Sequence, residues 1–245
     1  MTSLPLTRRH LLAGTSSVLA LFSVTAHART YGGGTGLPWE PNGGEPPLPI
    51  NPQGWLLFTP AEARMVEGIA DRMIPADTLS IGGKEAGCAV FVDRQLAGWF
   101  GQSTRLYMRP PFMNGLPTQG LQSPNNPILQ YRTGLAALEA IAKKQFSNRS
   151  FTDLKPDEQD SLLKDMEAGK LEVPDGYSSK AIFDLMLQNI MEGFFADPIY
   201  GGNKDLASWK MLGFAGTRYD HRDFVDKHNQ KYPLPPVSIA GRARI

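Results

Sequence analysis

From residue 55 onward, apolar positions recur every three or four residues and are interrupted by short polar, glycine or proline breaks, which is the pattern of amphipathic helices. Thr59-Pro60-Ala61-Glu62 opens the first of them: Thr59 caps, Pro60 suits the first helical position and Glu62 completes a capping box. Val66, Ile69, Ala70, Met73 and Ile74 then share one face until Pro75 stops the helix. A loop with Gly82, Gly83 and Gly87 leads to a second helix, predicted from Cys88 to Trp99, with Cys88, Val92, Leu96 and Trp99 on its apolar side. A third is predicted from Pro127 to Phe146, carrying Ile128, Tyr131, Leu135, Leu138 and Ala142 on one face. The fourth follows Pro156, gathers Asp157, Glu158 and Asp160 near its positive end, turns Leu162, Leu163 and Met166 inward and ends at Gly169.

The fifth helix, Ser179 to Phe195, is apolar around most of its circumference through Ile182, Phe183, Met186, Leu187, Ile190, Met191 and Phe194. A helix of that kind is buried from several sides, so it is the expected centre of the fold. It runs into a corner, Asp197-Pro198-Ile199-Tyr200-Gly201-Gly202-Asn203, before a short helix carrying Trp209. Pro198 disfavours helix at Asp197, Gly201 and Gly202 permit positive φ, and Asn203 can accept from the first N–H groups of the next helix. Asp197, Tyr200 and Asn203 could be read as a catalytic set. The stronger reading has Asp197 and Asn203 satisfying backbone N–H groups while Tyr200 packs or faces a partner.

No alternating strand run and no internal repeat is present, so the expected class is mainly α: a single irregular helical domain with long Gly/Pro-rich extended arms and loops. Residues 29–54 (Tyr31-Gly32-Gly33-Gly34, Pro46-Pro47-Leu48-Pro49) read as an extended arm suited to wrapping a partner. Residues 100–127 form a long irregular excursion in which Arg105, Tyr107, Arg109 and Phe112 are candidate contact points. The helical domain with its extended tail, Tyr232-Pro233-Leu234-Pro235-Pro236-Val237, occupies residues 55–245.

Charge and composition narrow the function. The 245 residues hold 25 Lys and Arg against 24 Asp and Glu. Arg8 and Arg9 lie in an acid-free leader, which leaves the remainder near neutrality and argues against nucleic acid. The single cysteine, Cys88, cannot pair internally or supply the paired cysteines of c-type haem attachment, and reads as a small core residue. His221 and His228 do not share the i, i+4 geometry of a helical zinc site. No G-x-S-x-G, no G-x-G-x-x-G after a strand and no P-loop is present. Asp220, His221 and Asp223 could serve a free-standing periplasmic hydrolase or isomerase as an acid–base cluster, and a periplasmic binding module is a further alternative. A hydrogen-bonded surface is the commoner meaning of such a run.

Residues 1–28 read as a signal peptide. Thr7-Arg8-Arg9-His10-Leu11-Leu12 has the paired arginines of a twin-arginine signal, and Ala26-His27-Ala28 is an A-x-A cleavage site. The apolar run from Leu11 to Val24 is shorter than the ~20 residues that span a bilayer. A twin-arginine signal implies an already folded passenger, often one loaded with a cofactor, yet no cofactor motif is visible.

The blocks FTPAEARMVEGIADRMIPAD (58–77), GKEAGCAVFVDRQLAGWFG (83–101), MEGFFADPIYGGNKDLASWKMLGFAG (191–216) and YPLPPVSIAGR (232–242) resemble the gluconate 2-dehydrogenase subunit 3 family. That family is the small (gamma) subunit of membrane-bound flavin-dependent gluconate 2-dehydrogenase. The resemblance implies a three-part, heterotrimeric assembly. A large subunit carries FAD and oxidises the sugar acid, and a cytochrome c subunit with haem c passes electrons to ubiquinone in the membrane. The small subunit carries no cofactor, metal or catalytic residue of its own. It would support folding, export or stability of the large one, in the periplasm and held to the inner membrane through the complex. The candidate partner interface is then Asp197, Tyr200, Gly201, Gly202, Asn203 and Trp209, with Arg105, Tyr107 and Arg109 and the 29–54 arm.

Overall fold

The computed structural model describes residues 54–106, 108–113, 115–116, 118, 123–218 and 221–239. Six α-helices make up its regular structure: α1 (Pro60–Met73), α2 (Cys88–Ala97), α3 (Pro127–Gln145), α4 (Pro156–Glu167), α5 (Ser179–Phe195) and α6 (Ala207–Leu212), joined by loops and short 3₁₀ turns. The mainly α class holds. Among the described residues the only β-type pairing is a single parallel bridge between Gly216 and Val237. The leader with Arg8, Arg9, Ala26 and Ala28, most of the 29–54 arm, Tyr107 and Asp220 lie outside the described residues.

Helix starts follow local chemistry. Thr59 Oγ1 accepts from the Glu62 N–H at 3.2 Å, and Glu62 returns the bond by accepting from the Thr59 N–H at 2.8 Å. Asn126 Oδ1 caps α3 through the Leu129 N–H and Ser178 Oγ caps α5 through the Ala181 N–H. Pro60, Pro127 and Pro156 each occupy the first turn of their helix, where a missing N–H costs nothing.

α5 is the hub, packing against α1, α2, α3, α4 and α6. Ile182, Met186 and Ile190 are fully buried along it, among Val66, Ile69, Val92, Leu96, Leu138, Leu162 and Met166 from the surrounding helices. Small residues set the closest approaches. A Cβ on Gly134 of α3 would lie 2.5 Å from Ile182 Cγ2, and one on Gly193 of α5 would lie 3.0 Å from the Phe91 side chain of α2. Within the core Asn189 Nδ2 donates to the Tyr131 hydroxyl at 3.2 Å, and burial pushes the Tyr131 pKa up.

Trp99 departs from expectation. α2 ends at Ala97, and Trp99 is 51% exposed beneath the Arg105 guanidinium, 4.5 Å from its ring centroid. The cause is tertiary. Gly101 folds back so tightly that a Cβ there would fall 1.9 Å from the Leu96 carbonyl oxygen, which diverts the chain before another helical turn forms.

Asp93, fully buried on α2, joins the start of the described chain to the core. Its carboxylate accepts from the backbone N–H groups of Leu56 (2.8 Å), Leu57 (2.9 Å) and Phe58 (2.9 Å) and pairs with Arg94, whose other terminal nitrogen donates to the Gly54 carbonyl. A charge this deep is tolerated because its lone pairs are filled by donors. Arg72 of α1 grips Asp160 of α4 through two parallel bonds of 2.7 and 3.0 Å. Arg149 does the same to Glu158, at 3.0 and 2.7 Å.

Candidate functional site

The corner after α5 is assembled from backbone close approaches and two saturated polar side chains. α5 ends at Phe195, and Pro198–Tyr200 form a 3₁₀ turn closed by Gly201 at φ 102°. Only glycine enters that region at little cost. Gly202 is needed for a different reason: a Cβ there would sit 2.0 Å from the Gly193 carbonyl oxygen, so the returning strand lies directly on the α5 backbone. The Lys204 N–H then donates to the Ala86 carbonyl at 3.1 Å, fastening the corner to the loop that starts α2.

Asp197 is buried and spends both carboxylate oxygens inside the protein. Oδ1 accepts from the Ile199 N–H (3.0 Å) and the Ser238 hydroxyl (2.8 Å), and Oδ2 accepts from the Ile239 N–H (2.7 Å). Asn203 is buried too. Its Nδ2 donates to the Ala196 carbonyl at 2.9 Å, while its Oδ1 accepts from the Ser208 N–H at 3.0 Å and the Ser208 hydroxyl at 2.8 Å. Asn203 thereby closes the end of α5 and supplies a first-turn N–H of α6 with a partner from outside the helix.

Asn203, Asp205 and Leu206 all have positive φ, at 47°, 56° and 58°. Such a run is costly for non-glycine residues and survives only where surroundings impose it. Burial of Leu206 and the Asn203 bonds impose it here. The reward is the placement of Trp209. Its indole Nε1 donates to the Phe195 carbonyl at 2.9 Å, and Phe214 meets its ring edge-on with centroids 5.0 Å apart.

The corner therefore divides into support and surface. Asp197, Gly202, Asn203 and Trp209 are buried and act as support, whereas Tyr200 is half exposed. Asp197 and Asn203 direct these polar atoms to the corner itself. Arg105 and Arg109 are exposed, and Arg105 lies away from the corner. The corner packs at the N-terminal end of α2, beside Gly87 and Val90, while Arg105 stacks on Trp99 beyond its C-terminal end. At 1.5 Å per residue, the ten residues of α2 hold the corner and Trp99 with its Arg105 roughly 15 Å apart.

Two supporting residues escaped the sequence reading. Asp93 had one signal, an acid directly following the apolar run Ala89-Val90-Phe91-Val92 within a helix. Ser238 had none, because its partner lies 41 positions earlier.

Elsewhere, His221 Nε2 donates to the Arg218 carbonyl at 3.1 Å and its ring leans on Tyr232, which also meets Phe224. These contacts fold the tail. Cys88 is fully buried, and burial pushes its thiol up to about 12, the opposite of an activated thiolate. Among the described residues no group of three or more His, Cys, Asp or Glu could hold a metal ion, and no helix is long and apolar enough to cross a membrane. A flavin cradle of the strand–glycine turn–helix type has no counterpart among them either.

The described residues form a helical domain organised around one buried hub helix. The profile for gluconate 2-dehydrogenase subunit 3 matches residues 60–216, a span containing all six helices and the corner. The chain belongs to that family, whose name makes it a subunit of a multi-subunit gluconate 2-dehydrogenase complex. No curated protein and no solved structure gives a significant match.

Proposed function

We propose that this chain is the non-catalytic small subunit of a periplasmic, membrane-associated, flavin-dependent sugar-acid dehydrogenase. In this reading the large subunit binds FAD and oxidises gluconate or a related sugar acid, and a cytochrome c subunit carries the electrons onward. The small subunit supports folding, stability and twin-arginine export of the large one. Family membership across the whole helical core carries the proposal. Two further features support it: the Arg8-Arg9 leader asks for a folded passenger, and the corner's polar side chains are occupied with structure.

The test is co-expression with the flavoprotein and cytochrome subunits. The purified mature chain should oxidise no gluconate alone and should co-purify with a yellow, FAD-bearing subunit. Replacing Arg8 and Arg9 together by Lys should strand both proteins in the cytoplasm. Normal export of the flavoprotein beside that variant would remove the carrier role, and failure to co-purify would remove the subunit reading itself.

A further inference from the structure

The last described stretch of the chain closes on the corner without joining the core. Between His221 and Pro236 no residue is buried. Val237 and Ser238 beyond them are, and Val237 stands apart from the main hydrophobic cluster. Ordering such a stretch costs conformational entropy at every residue, and one buried valine offsets little of it through apolar burial. The holding contacts are gathered at its end. The Val237 N–H donates to the Ala215 carbonyl at 3.2 Å, and the Val237 carbonyl accepts from the Thr217 N–H at 2.8 Å and the Thr217 hydroxyl at 3.0 Å. Just beyond, the Ser238 hydroxyl and the Ile239 N–H both donate to Asp197, at 2.8 and 2.7 Å. Gly216 makes this seating possible, since a Cβ there would stand 2.1 Å from the Val237 carbonyl oxygen.

The stretch also holds its own shape. Pro233, Pro235 and Pro236 fix their own φ. The Tyr232 ring is met by Phe224 at 4.8 Å and by His221 at 5.6 Å between centroids, which ties the two limbs of the loop together. At the root, the Arg218 guanidinium lies over the same ring, 5.6 Å from its centroid. The corner stands without the stretch. Asn203 bonds to Ala196 and Ser208, Trp209 to Phe195 and Lys204 to Ala86, none of them through residues 221–239. Lifting Val237, Ser238 and Ile239 therefore takes two donors from Asp197, leaves the Ile199 N–H bond in place and lets water replace what was lost.

We propose that residues 221–239 are a strap that opens and closes as one body over the corner, latched by Asp197 and covering the backbone edge at Ala215 and Thr217. Segments with few buried apolar contacts open at free energies well below that of global unfolding. Closed, the strap satisfies the Ala215 carbonyl, the Thr217 N–H and the Asp197 carboxylate. Open, it leaves an acceptor, a donor and an anion that a single extended segment satisfies together, which is the chemistry of strand addition. The strap is the chain's own cover for that edge. This device does not depend on the subunit reading and stands or falls separately from it.

Amide hydrogen exchange on the full chain, read residue by residue, tests the strap. The Thr217, Val237 and Ile239 N–H groups should share one opening constant, at least a hundredfold above that of the Ile190 amide in α5. Ser238→Ala should raise all three together by about tenfold and leave Ile190 unchanged. Gly216→Ala, whose Cβ takes the place of the Val237 carbonyl, should remove protection at Val237 and Ile239 while the far-UV spectrum of the helices stays the same. Exchange of the three amides in step with Ile190 would make the stretch part of the global fold. A graded order with Ile239 fastest and Thr217 slowest, or a Ser238→Ala effect confined to Ile239, would make it a fraying end. Protection of Val237 that survived Gly216→Ala would remove the proposed seat, and a dimer formed by Ser238→Ala would show tails trading between copies. Each of these results overturns the strap.

Discussion

Gly202 lies on Gly193 with no room between them: a Cβ on Gly202 would stand 2.0 Å from the Gly193 carbonyl oxygen and 2.8 Å from its carbon. Gly202→Ala must therefore push the corner off α5, at a cost of about 2–3 kcal/mol. Gly213→Ala is the comparison. Gly213 also turns the chain, at φ +72°, but nothing stands within 4 Å of its missing Cβ, so only the conformational cost of ~1 kcal/mol applies. Denaturant melts of the two variants should rank in that order; equal losses would mean the contact is not tight.

Gly201→Val adds a branched side chain where φ is 102° and Val90 Cγ1 is 3.0 Å away. It should reduce the amount of assembled dehydrogenase while leaving turnover per bound flavin nearly unchanged. A large fall in turnover at full assembly would instead put the corner in the chemistry.

Asp93→Ala strips three backbone N–H groups of their acceptor and leaves Arg94 without its carboxylate. The expected loss is at least ~2 kcal/mol, because unsatisfied buried donors carry their full desolvation cost. Hydrogen exchange should localise it, with the Leu57 and Phe58 amides exchanging faster while α4 amides keep their relative protection. Uniform acceleration across the protein would show that the anchor and the core unfold together.

Acid should unfold the protein through three carboxylates. The side-chain bond from Arg72 holds Asp160 below its usual range, and the bond from Arg149 does so for Glu158. At Glu139 burial opposes ionisation, but donors from Phe151, Lys143 and Ser150 outweigh it and lower the pKa. A depressed folded-state pKa contributes stability that is complete above the unfolded value, near 4, and is lost as pH falls through the folded value. Asp160→Asn should flatten the melting-temperature profile below pH ~4, with little change in its slope between pH 6 and 8.

Cys88 should resist thiol reagents in the native state, and its labelling rate should follow global unfolding. With the folded thiol raised to about 12, its contribution is present below the unfolded pKa of ~8.5 and declines as pH rises above it. Cys88→Ala should therefore soften the alkaline loss of stability. Rapid labelling at neutral pH in folded protein would contradict the burial.

The helices were legible because their starts are local events. Thr59 with Glu62, Asn126 with Pro127 and Ser178 each cap within a few residues, and the hydrophobic period needs no partner to be seen. What stayed hidden depends on residues distant in sequence. The end of α2 at Ala97 comes from Gly101 closing on Leu96, and Asp93 finds its donors 35 to 37 positions away. The corner fell between these cases. Its proline and glycines announced a turn, but nothing in the sequence foretold left-handed residues at Asn203, Asp205 and Leu206 that seat an indole against the end of the preceding helix.

The tie between Asp197 and Ile239 also has a use at the bench. The Ile239 backbone N–H sits 2.7 Å from Asp197 Oδ2, while its side chain is 56% exposed. A small environment-sensitive dye on a cysteine substituted for Ile239 would therefore report on the corner from its rim, turning that proximity into an optical readout of assembly.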